Sequence, residues 1–133
     1  MLITREMDYA IWAVRALADG EKHNIKEICS MEDIPTEFGY KVLKKLSHSE
    51  IVTVIRGQGG GYRLLCDLNE TTLLDIARAI GGNLLLNECL EGGYVCINNS
   101  GEKVCTVHKE LCRIQNVLIA ELKANTLAQI LAM

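Results

Sequence analysis

The chain contains no apolar run near the roughly 20 residues that a membrane-spanning helix needs. Its opening stretch, MLITREMDYA, carries Arg5, Glu6 and Asp8 before any apolar segment develops, which is not the pattern of a secretory signal. These absences predict a cytoplasmic protein with no membrane partner. In that compartment its six cysteines are expected to be reduced or metal-bound rather than paired. The glycine-rich run Gly57–Gly61 lacks the GK[ST] ending of a phosphate loop, and there is no HExxH. No nucleophile–base pair stands at a characteristic spacing, so an enzyme is not expected. No paired CxxC is present either, which removes a zinc ribbon. Internal repeats and low-complexity tracts are also missing.

What remains is a chain of 133 residues, about one domain in size. It is organised around Phe38–Leu65. Phe38, Val42 and Leu46 recur at helical spacing and predict an inward face. Glu37, Tyr40, Lys41, Lys44, Lys45 and His48 occupy the other side. Ile51–Ile55 is apolar and β-branched, as a strand should be. Arg56–Gly61 supplies a hairpin tip and Tyr62–Leu65 a return strand. Helix, strand, basic glycine tip and strand is the order of a winged helix. The chain as a whole carries a net charge of −3, yet residues 38–66 hold five Lys/Arg and one acid, Glu50. A cationic island in an acidic chain predicts a polyanion partner at that island. Lys41, Lys44 and Lys45 are the expected phosphate contacts. Tyr40 and Glu37 are placed to reach base edges, and Arg56 to enter a minor groove or follow the backbone. Thr36, Gln58 and Arg63 complete the candidate DNA-binding set.

The flanking segments agree with this core. Residues 4–18 predict a first helix with Met7, Ile11, Val14 and Leu17 or Ala18 inward, capped by Thr4 and ended at Asp19-Gly20. Asn24 caps a second helix to about Asp33, with Ile25, Ile28 and Cys29 inward. Pro35 suits the opening of the third. Two helices across so tight a turn make a helix-turn-helix. After the wing, Thr72 with Asp75 resembles a capping box for a helix that reaches Ile80 and stops at Gly81-Gly82.

Residues 83–104 show no helical or strand period, and a loop this long in a small domain is more often functional than idle. A long amphipathic helix, about Thr106–Ala124, follows, with Val107, Leu111, Ile114, Leu118 and Leu122 in its stripe. So little of the domain is left to cover this stripe that a second copy of the chain is expected on it, making a homodimer. Asn125-Thr126 interrupts it and caps a short terminal helix.

Cys29 and Cys66 are isolated among apolar residues and are expected to act as small hydrophobes. Cys89, Cys96, Cys105 and Cys112 fall within 24 residues. Thiolates on a loop suit an iron–sulfur cluster, which takes three or four of them. Cys105, His108 and Cys112, at i, i+3 and i+7, lie on one side of the last helix, so either of the last two is a candidate for a fourth position.

Taken together, the stretches from Leu2-Ile3-Thr4 to Asp8-Tyr9-Ala10, Ile34-Pro35 with its helix, Arg56–Leu64 (RGQGGGYRL), Thr72–Ile76 and the three-cysteine loop resemble the Rrf-type family of bacterial winged-helix regulators (IscR- and NsrR-like). The resemblance implies a mainly α fold with a small β-hairpin wing. Residues 1–82 would form the winged helix-turn-helix, 83–105 a cysteine-bearing sensor loop, and 106–133 a dimerisation helix with a short terminal helix. It also implies a homodimeric transcription factor on palindromic double-stranded DNA. A 2Fe–2S or 4Fe–4S cluster would sit on Cys89, Cys96 and Cys105 and sense redox state, iron–sulfur status or nitric oxide. The fourth ligand would be His108 or, from the partner subunit, Asp8; Cys112 is an additional candidate. Here six and eight residues separate the three cysteines, where about five is usual in the family. Some relatives carry no cluster and answer to a protein partner or a small metabolite.

Overall fold

The computed structural model describes residues 3–132; Leu2, at the start of the first stretch of the resemblance, lies outside them. Six α-helices and one hairpin follow in order: α1 (Arg5–Ala16), α2 (Ile25–Glu32), α3 (Thr36–His48), β1 (Val52–Ile55), β2 (Gly61–Leu64), α4 (Leu73–Ile80), α5 (Thr106–Lys123) and α6 (Leu127–Leu131). The capping residues account for the starts. Thr4 and Asn24 accept from the backbone N–H of Met7 and Glu27 at 3.2 and 2.9 Å. The Asp75 carboxylate accepts from the Thr72 N–H at 2.8 Å, and Thr126 and Gln129 exchange bonds across the first turn of α6.

Helices α1 to α4 pack around one apolar core. Its α1 face is Met7, Ala10, Ala13, Val14, Ala16 and Leu17, all buried. Met7, Val14 and Leu17 are buried as expected, whereas Ile11 is only half-buried and Ala18 exposed, and Ala10, Ala13 and Ala16 widen the inward face. The alanines let the other helices approach closely. In α3 the inward face is shifted. Val42 and Leu46 are buried as expected, but Gly39 and Leu43 complete that face, while Phe38 is 40% exposed and lies against Tyr9, with 5.2 Å between ring centroids. The reason is the crossing of α2 over α3: a Cβ on Gly39 would lie 2.5 Å from Cys29 Sγ. Only glycine allows that approach, so the close-packed row runs through residue 39. Burial pushes the Cys29 thiol up, in keeping with a packing role.

The hairpin is antiparallel with Val52 opposite Leu64 and Val54 opposite Tyr62. It is tied to the body by a third segment: the N–H and C=O of His23 exchange bonds with Tyr62 at 3.0 and 2.8 Å. A Cβ on Gly61 would stand 2.5 Å from the His23 carbonyl oxygen, which explains a glycine there. The His23 ring lies between Asp19 at 2.8 Å and Glu27 at 3.0 Å. Asp19 first, then Glu27, raises its pKa above the ordinary 6.5. A raised folded-state value means that the stabilisation is fully present below the unfolded value and is lost as pH rises through the folded one. The stability difference between the wild type and His23→Gln is therefore expected to be largest at acidic pH and to shrink above neutrality. Urea titrations of both proteins across pH 5.5–8.5 check this, and a difference independent of pH would rule it out.

The C-terminus returns to the core. Leu127 is fully buried, and the backbone N–H groups of Leu127 and Ala128 donate to the carbonyls of Thr71 and Leu68 at 2.7 and 2.9 Å. The short terminal helix thus closes over the α4 start. Helix α5 has no buried residue at all. Its stripe divides into two edges. Leu111, Leu118 and Leu122 are half-buried beside Gln115, which clamps the chain after α4: its Oε1 accepts from the Leu86 N–H at 2.8 Å and its Nε2 donates to the Leu84 carbonyl at 2.9 Å. Val107, Ile114 and Val117, on the other edge, stay exposed. No helix among the described residues is long and apolar enough to cross a membrane.

Candidate nucleic-acid interface and cysteine cleft

Helix α3 and the wing meet in a groove of about 380 Å³ lined by Tyr40, Lys44, Ser47, His48, Val54, Arg56 and Tyr62. Residues i and i+4 on α3 place Tyr40 and Lys44 on one face, and the alternation of β1 and β2 turns Val54 and Tyr62 toward it. Lys41 is one row over and lines the next groove, with Lys44, Lys45 and His48. Thr36 and Glu37 are exposed at the α3 N-terminus, and Gln58 is exposed on the hairpin tip. Arg63 faces Thr53 across the hairpin, one residue out of phase with Tyr62, and is not part of the groove lining. The groove therefore unites Tyr40, Lys44 and Arg56 and leaves Arg63 on the other side of the wing.

Lys45 differs from the other lysines. Its side chain is 35% exposed, and its ammonium lies 2.6 Å from Glu6 Oε1 and donates to the Ile80 carbonyl at 3.1 Å. Glu6 also reaches Lys41 at 3.7 Å. The expected outward cation is thus an internal tie between α1, α3 and the end of α4. Glu6 gave no sign of this in the sequence, because its partner is 39 positions away. Gln115 was missed for the same reason.

The 83–104 segment is not wholly irregular: it contains two short 3₁₀ turns, Glu88–Leu90 and Ile97–Asn99. These turns and the start of α5 bring Cys89, Cys96, Cys105 and His108 to one cleft of about 230 Å³, which Asn87, Tyr94 and Asn99 also line. Asn99 draws the loop back to the helix: its Oδ1 accepts from the Cys105 N–H at 3.0 Å. Cys105 is the N-cap of α5, its Sγ accepting from the His108 N–H at 3.3 Å. His108 Nε2 lies 3.4 Å from Cys112 Sγ, and Cys112 is not part of the cleft lining. Asp8 is on α1, beside Arg5 at 3.6 Å, and does not line the cleft either. Among the described residues no three His, Cys, Asp or Glu side chains are grouped tightly enough to hold a metal ion. The donors therefore fit an iron–sulfur group in chemical type and in shared location, but they are not gathered about one centre. Cys89 and Cys96 lie on short turns whose neighbours are mostly exposed.

Comparison with known proteins agrees with this architecture. The chain is similar to the rrf2-like HTH-type transcriptional regulator of Rhodobacter capsulatus, 27% identical over 139 residues, covering 98% of this chain and 93% of that protein. Its fold is that of CymR, described as the global cysteine regulator of B. subtilis (TM-score 0.75, 18% identity, 99% of this chain and 97% of that one). It is equally that of T. potens IscR (TM-score 0.74, 18% identity, 99% and 87%). At such identities the two structures speak to the fold alone. The Rrf2 family model, described as an iron-dependent transcriptional regulator, matches residues 3–133, nearly the whole length. A winged helix with a basic groove, matched by that model over nearly its whole length, identifies the chain as a member of the Rrf2 family of DNA-binding transcriptional regulators, not an enzyme.

Proposed function

We propose that this regulator acts as a homodimer on palindromic DNA and senses its signal through an iron–sulfur cluster held by Cys89, Cys96 and Cys105, with His108 in the fourth position. The observation that carries the reading is the convergence of these four side chains on one cleft at the start of α5. When bound, such a cluster supplies a redox-active centre open to oxidation and to small reactive ligands. The chain's own part is mechanical. Cys105 begins the exposed helix, and Gln115 joins that helix to the segment after α4. The exposed edge Val107, Ile114 and Val117 is the surface offered to the second copy. A change in how the three thiols are held alters the start of α5, and through the dimer the distance between the two α3 helices. Half-sites lie one helical turn apart, roughly 34 Å, so a small change in that distance changes affinity. Thr36, Glu37, Tyr40, Lys41, Lys44, Arg56 and Gln58 make the duplex contacts, with Arg63 reaching phosphates from the far side of the wing. Anaerobically purified protein is expected to be coloured and to contain iron and acid-labile sulfide. Cys89, Cys96 and Cys105 changed together to alanine should abolish both and also the response of DNA binding to air. Colourless, iron-free wild type with intact DNA binding would remove the cluster.

A second reading has its own support. The three cysteines are not gathered to metal-binding distance, and the fold is shared with a regulator described by its relation to cysteine. Under it the cleft takes a small metabolite or a protein partner and no metal. Unchanged regulation in the triple alanine variant would favour it.

A further inference from the structure

We propose that Cys112 is a positioning residue for His108: it holds one imidazole nitrogen from behind, so that the other is presented to the cleft. The inference rests on the cluster reading above and adds a residue to it. His108 lines the cleft, together with the three loop cysteines. Its Nε2, however, is directed at Cys112 Sγ, 3.4 Å away, one turn further along α5. A histidine that ligates through one ring nitrogen generally donates the other N–H to a fixed acceptor, which sets the tautomer and the ring plane. Cys112 can meet that need: its half-buried sulfur, i+4 from His108, is within reach of Nε2, and in the tautomer protonated at Nε2 it accepts that N–H and leaves Nδ1 as the nitrogen able to ligate. The backbone contributes as well. The His108 N–H donates to Cys105 Sγ, so a cleft thiol and the imidazole are fixed to the same first turn of the helix. This arrangement separates two roles that spacing alone merges. Cys105, His108 and Cys112 share a helix side, but only the first two line the cleft.

The test uses full-length protein reconstituted anaerobically with ferrous iron and sulfide. The variants are Cys112→Ala, Cys112→Ser and His108→Ala, together with the double variant of His108→Ala and Cys112→Ala. Iron content against a competing chelator, visible circular dichroism and the reduction potential are measured for each. Cys112→Ala is expected to weaken iron retention about 10–100-fold, as loss of an outer partner of a ligand typically does, and to shift the potential. Cys112→Ser, whose hydroxyl can accept the same bond, should restore both. In the His108→Ala background, Cys112→Ala should add nothing, because the ring it positions is gone. Wild-type behaviour of Cys112→Ala would overturn the proposal, and so would failure of serine to rescue, which would make Cys112 itself a ligand. A full alanine effect without His108 would overturn it too. Wild type that takes up no iron would remove the cluster reading and this inference together, whereas loaded wild type with an indifferent Cys112→Ala removes this inference alone.

Discussion

Replacing Lys44 and Arg56 together by alanine is expected to weaken duplex binding about 60-fold near ~0.1 M salt and to flatten the salt dependence by about two. The reasoning is electrostatic. Each phosphate contact releases close to one counterion, so log K falls with log salt at about −0.9 per contact. At ~0.1 M salt that makes each contact worth about eightfold, and two contacts about 60-fold. Lys44 and Arg56 line one groove from the helix and from the wing, and among the described residues no carboxylate pairs with either. Lys45→Ala is expected to behave differently. Its ammonium is already held by Glu6 and the Ile80 carbonyl, so the salt slope should stay as it was while the fold weakens by about 1–3 kcal/mol through loss of those two bonds, Glu6 keeping only its longer contact to Lys41. Fluorescence anisotropy of a labelled duplex across a salt series, beside urea titrations of the same proteins, separates the two outcomes. An unchanged slope in the Lys44–Arg56 double variant would take the groove out of the interface.

The second large effect concerns stability. Leu127→Ala is expected to cost about 2–5 kcal/mol, the range for removing a fully buried leucine where neighbours only partly collapse. Leu127 is 0% exposed and belongs to the same cluster as Val14, Leu43 and Ile76. It comes from a helix of only five residues at the end of the chain, where fraying would be the ordinary expectation. What prevents fraying is the pair of backbone bonds to Thr71 and Leu68, together with the Thr126–Gln129 cap. The loss should appear as a lower midpoint of one cooperative transition, because α6 and the winged helix share a core. A cost under about 1 kcal/mol would mean that α6 docks without contributing to that core.

Much of this molecule was legible beforehand, and particular residues show why. The caps Thr4, Asn24, Thr72 and Thr126 act within three positions of themselves, so local chemistry is enough to place the helix starts. The hairpin follows from Ile51–Ile55 and the RGQGGGYRL run, where glycine is required by close approach of backbone to backbone. The basic groove was visible as a charge island, and the cleft as an unexplained density of cysteine.

Other features depend on partners far apart in the chain. That α3 buries residue 39 and leaves Phe38 out was decided by the crossing of α2, a contact that no periodicity contains. Lys45 is indistinguishable from Lys44 by spacing, yet a carboxylate 39 residues away makes it a tie within the fold. The α5 stripe divides because Gln115 finds the carbonyl and amide of residues 84 and 86, and Cys112 falls outside the cleft lining although it shares a helix side with Cys105 and His108. Local sequence determined the elements, their ends and the residue types able to bind phosphate or iron, since those rest on bonds made within a few residues. Only tertiary packing decided which charges stay free, which apolar edge stays uncovered and which thiols share a cleft, because each of those is set by what another segment brings alongside.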